Sequence, residues 1–387
     1  MRRVVHKLGT LLDVAITYPI FLLSLLSPRD KQLWVFIGWH NSPRGEIFAD
    51  NTKYLFLHTH QHAPSVRAVW LAKNETLAQV LRAHGYESYR ETSLRGVWCA
   101  LRAGFTVIDA YLQRRNFRWS GRSKIIQLLH GKGVKRGGYA KKQYRRQHYI
   151  FGPSKLALDL LPSSFTRRSK MFVTGYPRSD IFFKKIPDND ISADTGAIEK
   201  MAALKQQHVR CVLYAPTYRR GSETLDVASM LNLDQLAPLL ARENTALFMS
   251  LHPKYRAQAR NHSYPNVYFL EESDVQVLLP HVDLLVADYS SLFTDFLLLD
   301  KPLVFYPFDR EQYEREEGFN VDYDAVTPGE KAYRPGELLA ALERALKDDR
   351  YREARTHVRK RYHAYADGRS SERILDTIAR EEGVQLR

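Results

Sequence analysis

After Pro28, apolar runs of strand length alternate with longer stretches in which apolar residues recur at helical spacing. The apolar runs lie at 31–39, 66–72, 124–130 and 147–154, at the end of 94–109, where a helix runs into a strand, and at the start of 169–183, where a strand is followed by a turn and a short helix. Two of the stretches between them, 45–61 and 74–85, have the pattern of amphipathic helices, and Gly85 is placed to end the second. This alternation predicts a parallel sheet that is covered by helices on both faces.

A second series of the same kind follows a polar crossover at 184–207. Its predicted strands lie at 209–219, 246–253, 266–272, 283–288 and 301–309, and its predicted helices at 233–245, 274–282, 289–300 and, as a pair, 335–368. We therefore expect an α/β protein with two Rossmann-like domains, at 29–190 and 191–387, in which the last helices are able to cross back. Ligands of such sheets bind at the carboxyl ends of the strands, so a cleft between the domains is expected.

The first 28 residues differ from the rest of the chain. They begin with Arg2, Arg3 and Lys7 and then become apolar without interruption from 14 to 26. This apolar run is shorter than the ~20 residues that a spanning helix needs, and no small-residue cleavage site follows it. The pattern favours a helix that lies in the bilayer interface. A helix packed on the protein's own core and a spanning anchor are the alternatives.

Composition narrows the class of partner. The net charge of +15 implies an anionic partner, which is nucleic acid, a phospholipid surface or a phosphorylated substrate. The two cysteines, Cys99 and Cys211, lie far apart without zinc-site spacing, which predicts a reducing compartment and no structural metal.

Five strand ends carry candidate chemistry. They are HGKGVKRGG (130–138), GYPRSD (175–180), YAPTYR (214–219), SLHP (250–253) and ADYSSLFTD (287–295). Ser290 and Ser291 at a helix start either cap the helix or help its first N–H groups bind phosphate. Asp295, one helical turn later, is placed to reach the ribose of a nucleotide.

The other strand ends allow two interpretations each. His130 and His252 are either functional groups or structural histidines, and the basic loop after His130 is either an anion site or a solvated surface. Pro216 and Thr217 shape a loop that either reads a base or simply ends a strand. Arg178 either binds phosphate or pairs with Asp180.

Taken together, these motifs resemble the CDP-glycerol glycerophosphotransferases of wall teichoic acid synthesis and their capsule relatives. The most specific part is ADYSSLFTDFLLLDKPLVFYPFDREQYEREEGFNVDYD (287–324), and the resemblance covers roughly 120–365. It implies a GT-B architecture of two facing Rossmann-like domains on the cytoplasmic face of the cell membrane, as a peripheral protein. It also implies transfer of glycerol phosphate from CDP-glycerol to a hydroxyl of a lipid-linked saccharide of the undecaprenyl diphosphate type, with release of CMP.

The resemblance also assigns residues. His130 and His252 match the family's functional histidines, and we expect His130 to be the general base and His252 to help hold the diphosphate. The expected substrate contacts are Gly131, Lys132, Gly133, Val134, Arg178, Pro216, Thr217, Ser250, Leu251, Ser290, Ser291 and Asp295. No Asp-x-Asp cluster accompanies these motifs, so neither a metal nor another cofactor is expected.

Two positions depart from the family pattern. HGKGVK stands where the family often has HGTPLK, and Ser250 stands where it often has arginine, a charge that Lys254 or Arg256 is placed to replace. The rival interpretations are a GT-B enzyme that uses CDP-ribitol or a sugar nucleotide and, from another class, a nucleic-acid-binding protein, for which YAKKQYRRQHY (139–149) has suitable composition. The apolar N-terminal segment argues against nucleic acid.

Overall fold

The structure is a computed structural model that describes residues 18–38, 41–42, 45–110, 119–131, 133–136, 147–184, 190–217, 219, 226–251 and 264–387. Two parallel sheets dominate it, as the sequence predicts. The first has the strand order β5-β4-β1-β6-β7-β8-β9. Its strands are β1 (Asp30–Ile37), β4 (Arg67–Ala72), β5 (Ser88–Arg90), β6 (Ala103–Ile108), β7 (Lys124–Gln127), β8 (Tyr149–Gly152) and β9 (Lys170–Val173).

The second sheet has the strand order β12-β11-β10-β13-β14-β15. Its strands are β10 (Arg210–Tyr214), β11 (Thr245–Met249), β12 (Val267–Phe269), β13 (Leu284–Ala287), β14 (Leu303–Phe305) and β15 (Glu330–Lys331). A short antiparallel pair, β2 (Asn41–Ser42) and β3 (Gly45–Glu46), precedes the first long helix. The pattern of 45–61 predicts a single helix, but the first two residues of this stretch form strand β3, and the helix begins only at Asp50.

Helices cover the faces of both sheets. Residues 18–26 are helical, and we call this segment α1. We call the part of the chain up to residue 190, which contains the first sheet, the first half, and the rest the second half. The other helices of the first half are α2 (Asp50–His62), α3 (Glu75–Ala83), α4 (Leu94–Arg102), α5 (Lys155–Asp159), α6 (Ser163–Thr166) and the 3₁₀-helix Pro177–Phe183. Those that follow are α7 (Thr195–Gln206), α8 (Val227–Leu231), α9 (Leu233–Arg242), α10 (Leu292–Phe296), α11 (Arg310–Glu316), α12 (Tyr323–Val326), α13 (Pro335–Lys347), α14 (Arg352–Tyr362) and α15 (Ser370–Glu382).

Two predicted helices are shorter than their patterns suggest. The stretch 274–282 forms two 3₁₀ turns, Val275–Val277 and Leu279–His281, because Pro280 lacks the N–H that a continuing helix would need. The helix after Ser291 changes to 3₁₀ geometry at Leu297–Leu299 and ends at Asp300, whose φ of 49° is left-handed.

The last helix lies on the first sheet. Ile374, Leu375 and Ile378 of α15 belong to the same buried cluster as Trp34 and Phe105. The carboxylate of Asp180 accepts hydrogen bonds from the backbone N–H groups of the first two residues of α15, each at 2.8 Å. The chain therefore returns to the first half after completing the second.

A buried ionic cluster joins the two halves behind the cleft. Lys53 of α2 is fully buried, and its Nζ lies 2.9 Å from Asp190 and 2.8 Å from Asp274. Asp190 lies at the crossover between the sheets and Asp274 precedes the first 3₁₀ turn of the second half. A buried ammonium needs such partners, so this cluster fixes the crossover against both halves.

Among the described residues, no helix has both the length and the apolar character needed to cross a bilayer.

Candidate active site

The carboxyl ends of the two sheets face each other, and the glycine loop after β7 bridges them. A Cβ atom added at Gly131 would lie 2.8 Å from Nη2 of Arg178 and 2.8 Å from Oγ of Ser291, and Gly131 has a φ of +108°. A Cβ atom at Gly133 would lie 3.0 Å from Cα of Ser291. Glycine is required here because a loop of the first half touches the helix start of the second.

The same loop pairs with a later segment. Lys135 forms an isolated antiparallel bridge with Phe319, the N–H of Arg136 donates to the carbonyl of Gly318, and the N–H of Asn320 donates to the carbonyl of Val134. The ring of Tyr313, which precedes this segment, lies 5.9 Å from Nζ of Lys135. The motifs HGKGVK (130–135) and GFN (318–320) are therefore parts of one site, although they lie far apart in the sequence.

His130 is half-buried at the end of β7. Its Nδ1 lies 3.1 Å from the backbone carbonyl oxygen of Asp109. Because a carbonyl only accepts hydrogen bonds, this contact places the proton on Nδ1 and leaves the lone pair of a neutral ring on Nε2. The backbone of Asp109, at the end of the neighbouring strand β6, thus sets the tautomer that a general base requires.

Arg178 connects both halves across the cleft. Its Nη1 lies 2.7 Å from a carboxylate oxygen of Asp50 and 2.9 Å from the carbonyl of His130, and its Nη2 lies 2.9 Å from the carboxylate of Asp295. Arg178 is only 4% exposed. The sequence offered phosphate or Asp180 as its partner, but Asp180 contacts α15 instead. These contacts involve Nη1 and Nη2, whereas Nε has no hydrogen-bond partner among the described residues.

Asp295 does not face an open pocket. It is fully buried, and its Oδ2 accepts from Nε2 of Gln276 at 2.9 Å as well as pairing with Arg178. Burial raises the pKa of Asp295, although Arg178 and Gln276 act in the opposite direction. In this arrangement the carboxylate of Asp295 positions Arg178, and its expected contact with a ribose stays a prediction.

Asp109 is a further buried carboxylate, and its charged neighbour is Asp50. Complete burial raises the pKa of Asp109 well above its ordinary value, and the nearby charge of Asp50 adds to the rise. Its Oδ2 accepts from the N–H of Thr52 at 3.2 Å, whereas its Oδ1 has no hydrogen-bond partner among the described residues.

The second half presents a different network around Asp288. The carboxylate of Asp288 accepts from the N–H and hydroxyl of Thr217 at 2.8–3.0 Å, and from the N–H groups of Tyr289 and Ser290 at 2.5 and 3.2 Å. Arg219 pairs with the same carboxylate. Burial alone would raise the pKa of Asp288, but Arg219 and the backbone donors outweigh it, and the pKa is lowered.

Arg219 is held on its other side as well. Its Nε and Nη2 contact the two oxygens of Asp309 at 2.8 and 2.9 Å, a bidentate pair. The guanidinium lies 5.3 Å from the ring of Tyr289 and 4.9 Å from that of Phe308. Arg219, Asp288 and Asp309 therefore form a rigid support for the strand ends that carry Thr217 and Ser290.

These contacts limit what the serine helix start can do. The N–H groups of Tyr289 and Ser290 already donate to Asp288, and the N–H of Leu292 donates to Oγ of Ser290 at 3.3 Å. Capping is thus the observed role of Ser290, while Ser291 is the serine that meets the glycine loop. Both serines are half-buried.

Some expected contacts lie elsewhere. Val134 is fully buried in the core of the second half, and Leu251 is 4% exposed and packs in the core on the other face of that sheet, so neither side chain faces a ligand. Pro216 and Ser250 lie at neighbouring strand ends and are half-buried. Lys132 and His252, with the alternative cations Lys254 and Arg256, lie outside the described residues.

Sequence reasoning missed several members of the site. Asp50, Asp109, Arg219 and Asp309 were not among the expected site residues. Asp109 carried a usable signal, because it directly follows a buried strand, as His130 does. Asp50 carried none, since its role depends on a φ of 67° and on contact with Arg178, 128 residues away. In the described part of the chain no group of three or more His, Cys, Asp or Glu residues could hold a metal ion.

Comparison with known proteins decides the family. A sequence model of the CDP-Glycerol:Poly(glycerophosphate) glycerophosphotransferases matches residues 20–380. The chain belongs to this family. It is therefore a transferase of the teichoic acid glycerophosphotransferase group, as its motifs suggested.

Individual relatives agree with this assignment. The chain is 25% identical to a teichoic acid glycerol-phosphate transferase of Staphylococcus aureus, over 96% of this chain and 99% of that protein. It is 26% identical to the teichoic acid ribitol-phosphate polymerase TarK of the same species, over 68% of this chain but only 53% of the polymerase. The chain thus spans the whole of one relative and about half of the other.

The fold has a known counterpart. A structure of the wall teichoic acid polymerase TagF, soaked with CDPG, superposes with a TM-score of 0.73 at 21% identity, covering 93% of this chain and 91% of that one. At this identity the likeness establishes the fold, in which two parallel sheets are arranged as they are here.

Proposed function

We propose that this enzyme transfers glycerol phosphate from CDP-glycerol to a hydroxyl group of a membrane lipid-linked acceptor and releases CMP. Family membership supports the reaction class, and the TagF structure soaked with CDPG, together with the glycerol-phosphate transferase relative, supports the donor. The acceptor we propose is a saccharide linked to an undecaprenyl diphosphate-type lipid, in a GT-B arrangement with an acceptor domain at 29–190 and a donor domain at 191–387.

The observation that carries the proposal is the orientation of His130. Its Nδ1 is held by the carbonyl of Asp109, so Nε2 is the nitrogen able to take a proton from the acceptor hydroxyl. The acceptor oxygen then forms a bond to the phosphorus that bears glycerol, and the bond from that phosphorus to the oxygen of CMP breaks. The proton ends on His130 and the leaving electron pair on CMP.

The second half supplies the donor side. Thr217 and Ser290, fixed by Asp288 and Arg219, border the cleft opposite His130, and Ser291 lies against the glycine loop. We propose that the hydroxyls of Ser290 and Ser291, together with Lys132 and His252, contact the diphosphate, while the loop at Pro216 and Thr217 contacts the cytosine. Hydroxyl donors on a rigidly supported strand end can stabilise the charge that develops on CMP without reorganisation.

We further propose that the protein binds the cytoplasmic face of the cell membrane peripherally, through residues 1–28. The residue pattern supports this, and an acceptor that carries a lipid must be met at a bilayer. No role for nucleic acid is proposed.

A donor comparison tests the reaction. Purified enzyme would be incubated with a lipid-linked acceptor and, separately, with CDP-glycerol, CDP-ribitol and a UDP-sugar, and nucleotide release would be measured. We expect CMP release from CDP-glycerol to be the fastest. Faster release from CDP-ribitol would favour the second candidate, which the similarity to TarK supports, and release only from the UDP-sugar would overturn the donor assignment.

A further inference from the structure

Large hydrophobic side chains are exposed unevenly over the surface. In the described part of the chain eleven such side chains are exposed, and six of them lie on the two short helices α1 and α4. The six are Tyr18, Leu22, Leu23, Leu26, Leu94 and Trp98. Single exposed apolar residues are ordinary, but this concentration on two helices marks an interaction surface.

Helix α4 has one buried and one exposed apolar face. Gly96, Cys99 and Ala100 pack inward, and Cys99 is 2% exposed. On the opposite face Leu94 is 93% exposed and Trp98, one turn later, is 59% exposed. Folding does not require a leucine and a tryptophan at these exposed positions, so their chemistry points to a partner outside the chain.

Helices α1 and α4 are neighbours on the same face of the first sheet. Ile20 of α1 and Val97 of α4 pack against the same buried cluster. Arg29 ties the two together, because its Nη2 donates to the carbonyl of Ser24 at 2.6 Å and its Nη1 donates to the carbonyl of Ala100 at 2.8 Å. The exposed faces of the two helices are therefore held in a fixed relation.

The charges carried by these two helices are positive. The stretch 18–26 contains neither acidic nor basic residues, and α4 contains Arg95 and Arg102 without an acidic residue. The guanidinium of Arg102 lies 5.8 Å from the ring of Trp98. An amphipathic aromatic ring beside arginine suits the headgroup region of an anionic bilayer, where the ring meets the acyl boundary and the cation meets phosphate.

The surface is also placed correctly for a lipid-linked substrate. Helix α4 begins four residues after β5 ends and runs back to the start of β6. Its first residue, Leu94, therefore lies at the carboxyl edge of the sheet, the edge that also carries His130. A bilayer that contacts Leu94 would thus lie along the edge at which the acceptor is expected to react.

We propose that α4 is a second membrane-contact element, in which Leu94 and Trp98 enter the interface of an anionic phospholipid bilayer beside α1. This inference rests on the proposed function at a membrane surface and extends it beyond residues 1–28. The helix contributes apolar contact through two side chains and attraction to phosphate through Arg95 and Arg102.

Vesicle binding by the full chain tests the proposal. The variant Leu94→Ser/Trp98→Ser would be compared with wild type on vesicles of phosphatidylglycerol and phosphatidylcholine and on vesicles of phosphatidylcholine alone. We expect the variant to need about tenfold more anionic lipid for half-maximal binding. We also expect brominated lipid to quench wild-type tryptophan fluorescence more than that of Trp98→Phe, because the depth of Trp98 in the bilayer is what the quencher reports.

The matched control is Val80→Ser/Met171→Ser, which removes two exposed apolar side chains, at 36% and 44% exposure, from other elements of the same half. It should bind vesicles as wild type does. Equal binding by the α4 variant and wild type would overturn the proposal. So would a lipid-free wild-type dimer in sedimentation velocity that the α4 variant fails to form, since that would assign the surface to a second copy of the chain.

The outcomes separate this inference from the proposed reaction. CMP release with a detergent-dispersed acceptor should be the same in the α4 variant and in wild type. If wild type releases no CMP from CDP-glycerol while the variant still loses vesicle binding, the reaction is wrong and the surface assignment stands. If CMP is released and vesicle binding is unchanged, only the surface assignment fails.

Discussion

Arg178 and Arg219 are both buried and each contacts two carboxylates, but only Arg178 joins the two sheets. Arg178 holds Asp50 from the first half and Asp295 from the second, whereas both partners of Arg219, Asp288 and Asp309, belong to the second half. The first arrangement crosses the cleft, and the second supports one wall of it.

The carboxylates respond differently in the two networks. The pKa of Asp295 is raised, mainly by burial, whereas the pKa of Asp288 is lowered because Arg219 and several N–H groups outweigh its burial. The Nε atom of Arg178 and the Oδ1 atom of Asp295 also have no hydrogen-bond partner among the described residues. A fully bonded network suits a fixed wall, and an incompletely bonded one suits a place where a ligand changes the contacts.

The largest expected effect is that of Arg178→Met. It leaves the carboxylates of Asp50 and Asp295 buried without their cation, so we expect the free energy of unfolding to fall by about 3–5 kcal/mol. Urea unfolding followed by circular dichroism measures this. Adding Asp295→Asn should recover part of the loss, and a double variant no more stable than the single one would show that the ion pairs do not carry the effect.

Arg219→Met should cost less, about 1–3 kcal/mol, because Asp288 keeps the donors of Thr217, Tyr289 and Ser290. The same unfolding measurement applies. A loss as large as that of Arg178→Met would remove the distinction between the two networks.

Gly131→Ala tests the close approach between the halves. The new Cβ would meet Arg178 and Ser291 at 2.8 Å from a backbone with positive φ, so we expect about 1–2 kcal/mol of destabilisation together with reduced CMP release. The matched control is Gly336→Ala in α13, which has nothing within 4 Å and should stabilise by about 0.5–1 kcal/mol. Equal effects at the two glycines would contradict a crowded cleft.

The smallest expected effect is a change in the pH dependence of stability. The pKa of Asp109 is raised in the folded state, so its contribution is complete below the unfolded pKa, ~3.9, and is lost as the pH rises through the folded pKa. Asp109→Asn should therefore gain stability relative to wild type as the pH rises above about 4.

Asp288→Asn should change the pH dependence of stability in the opposite direction to Asp109→Asn. The pKa of Asp288 is lowered, so its contribution is present above ~3.9 and is lost as the pH falls through the folded value. This variant should be least stable relative to wild type at neutral pH and should approach it in acid. Unfolding in urea across pH 3–8 would measure both, and parallel curves for the two variants would contradict the assignments.

The two sheets and the motifs at their strand ends were predictable, because both are recorded locally. Buried parallel strands are continuous apolar runs, and glycine, serine and histidine stand out directly after them. The final helix, α15, was not predicted, although Ile374, Leu375 and Ile378 have helical spacing, because its polar surface residues obscure the pattern. The prediction of a continuous helix at 274–282 was wrong for a local reason, because Pro280 interrupts it.

Side-chain partners were less predictable, because they depend on contacts between distant segments. Nothing local indicates that Arg178 contacts Asp50, 128 positions earlier, or that Asp295 contacts Arg178. Val134 and Leu251 were expected beside a ligand because they stand within motifs, but an apolar residue in a strand-end loop can equally pack inward, as both do.

The central claim is that His130 acts as the general base, and a single-turnover assay tests this claim most directly. His130→Ala would be mixed with CDP-glycerol and a lipid-linked acceptor, with His84→Ala, an exposed histidine after α3, as the control. We expect His130→Ala to bind CDP-glycerol normally but to release CMP about 10²–10⁴-fold more slowly, while His84→Ala matches wild type. Release of CMP by His130→Ala at the wild-type rate would contradict the account.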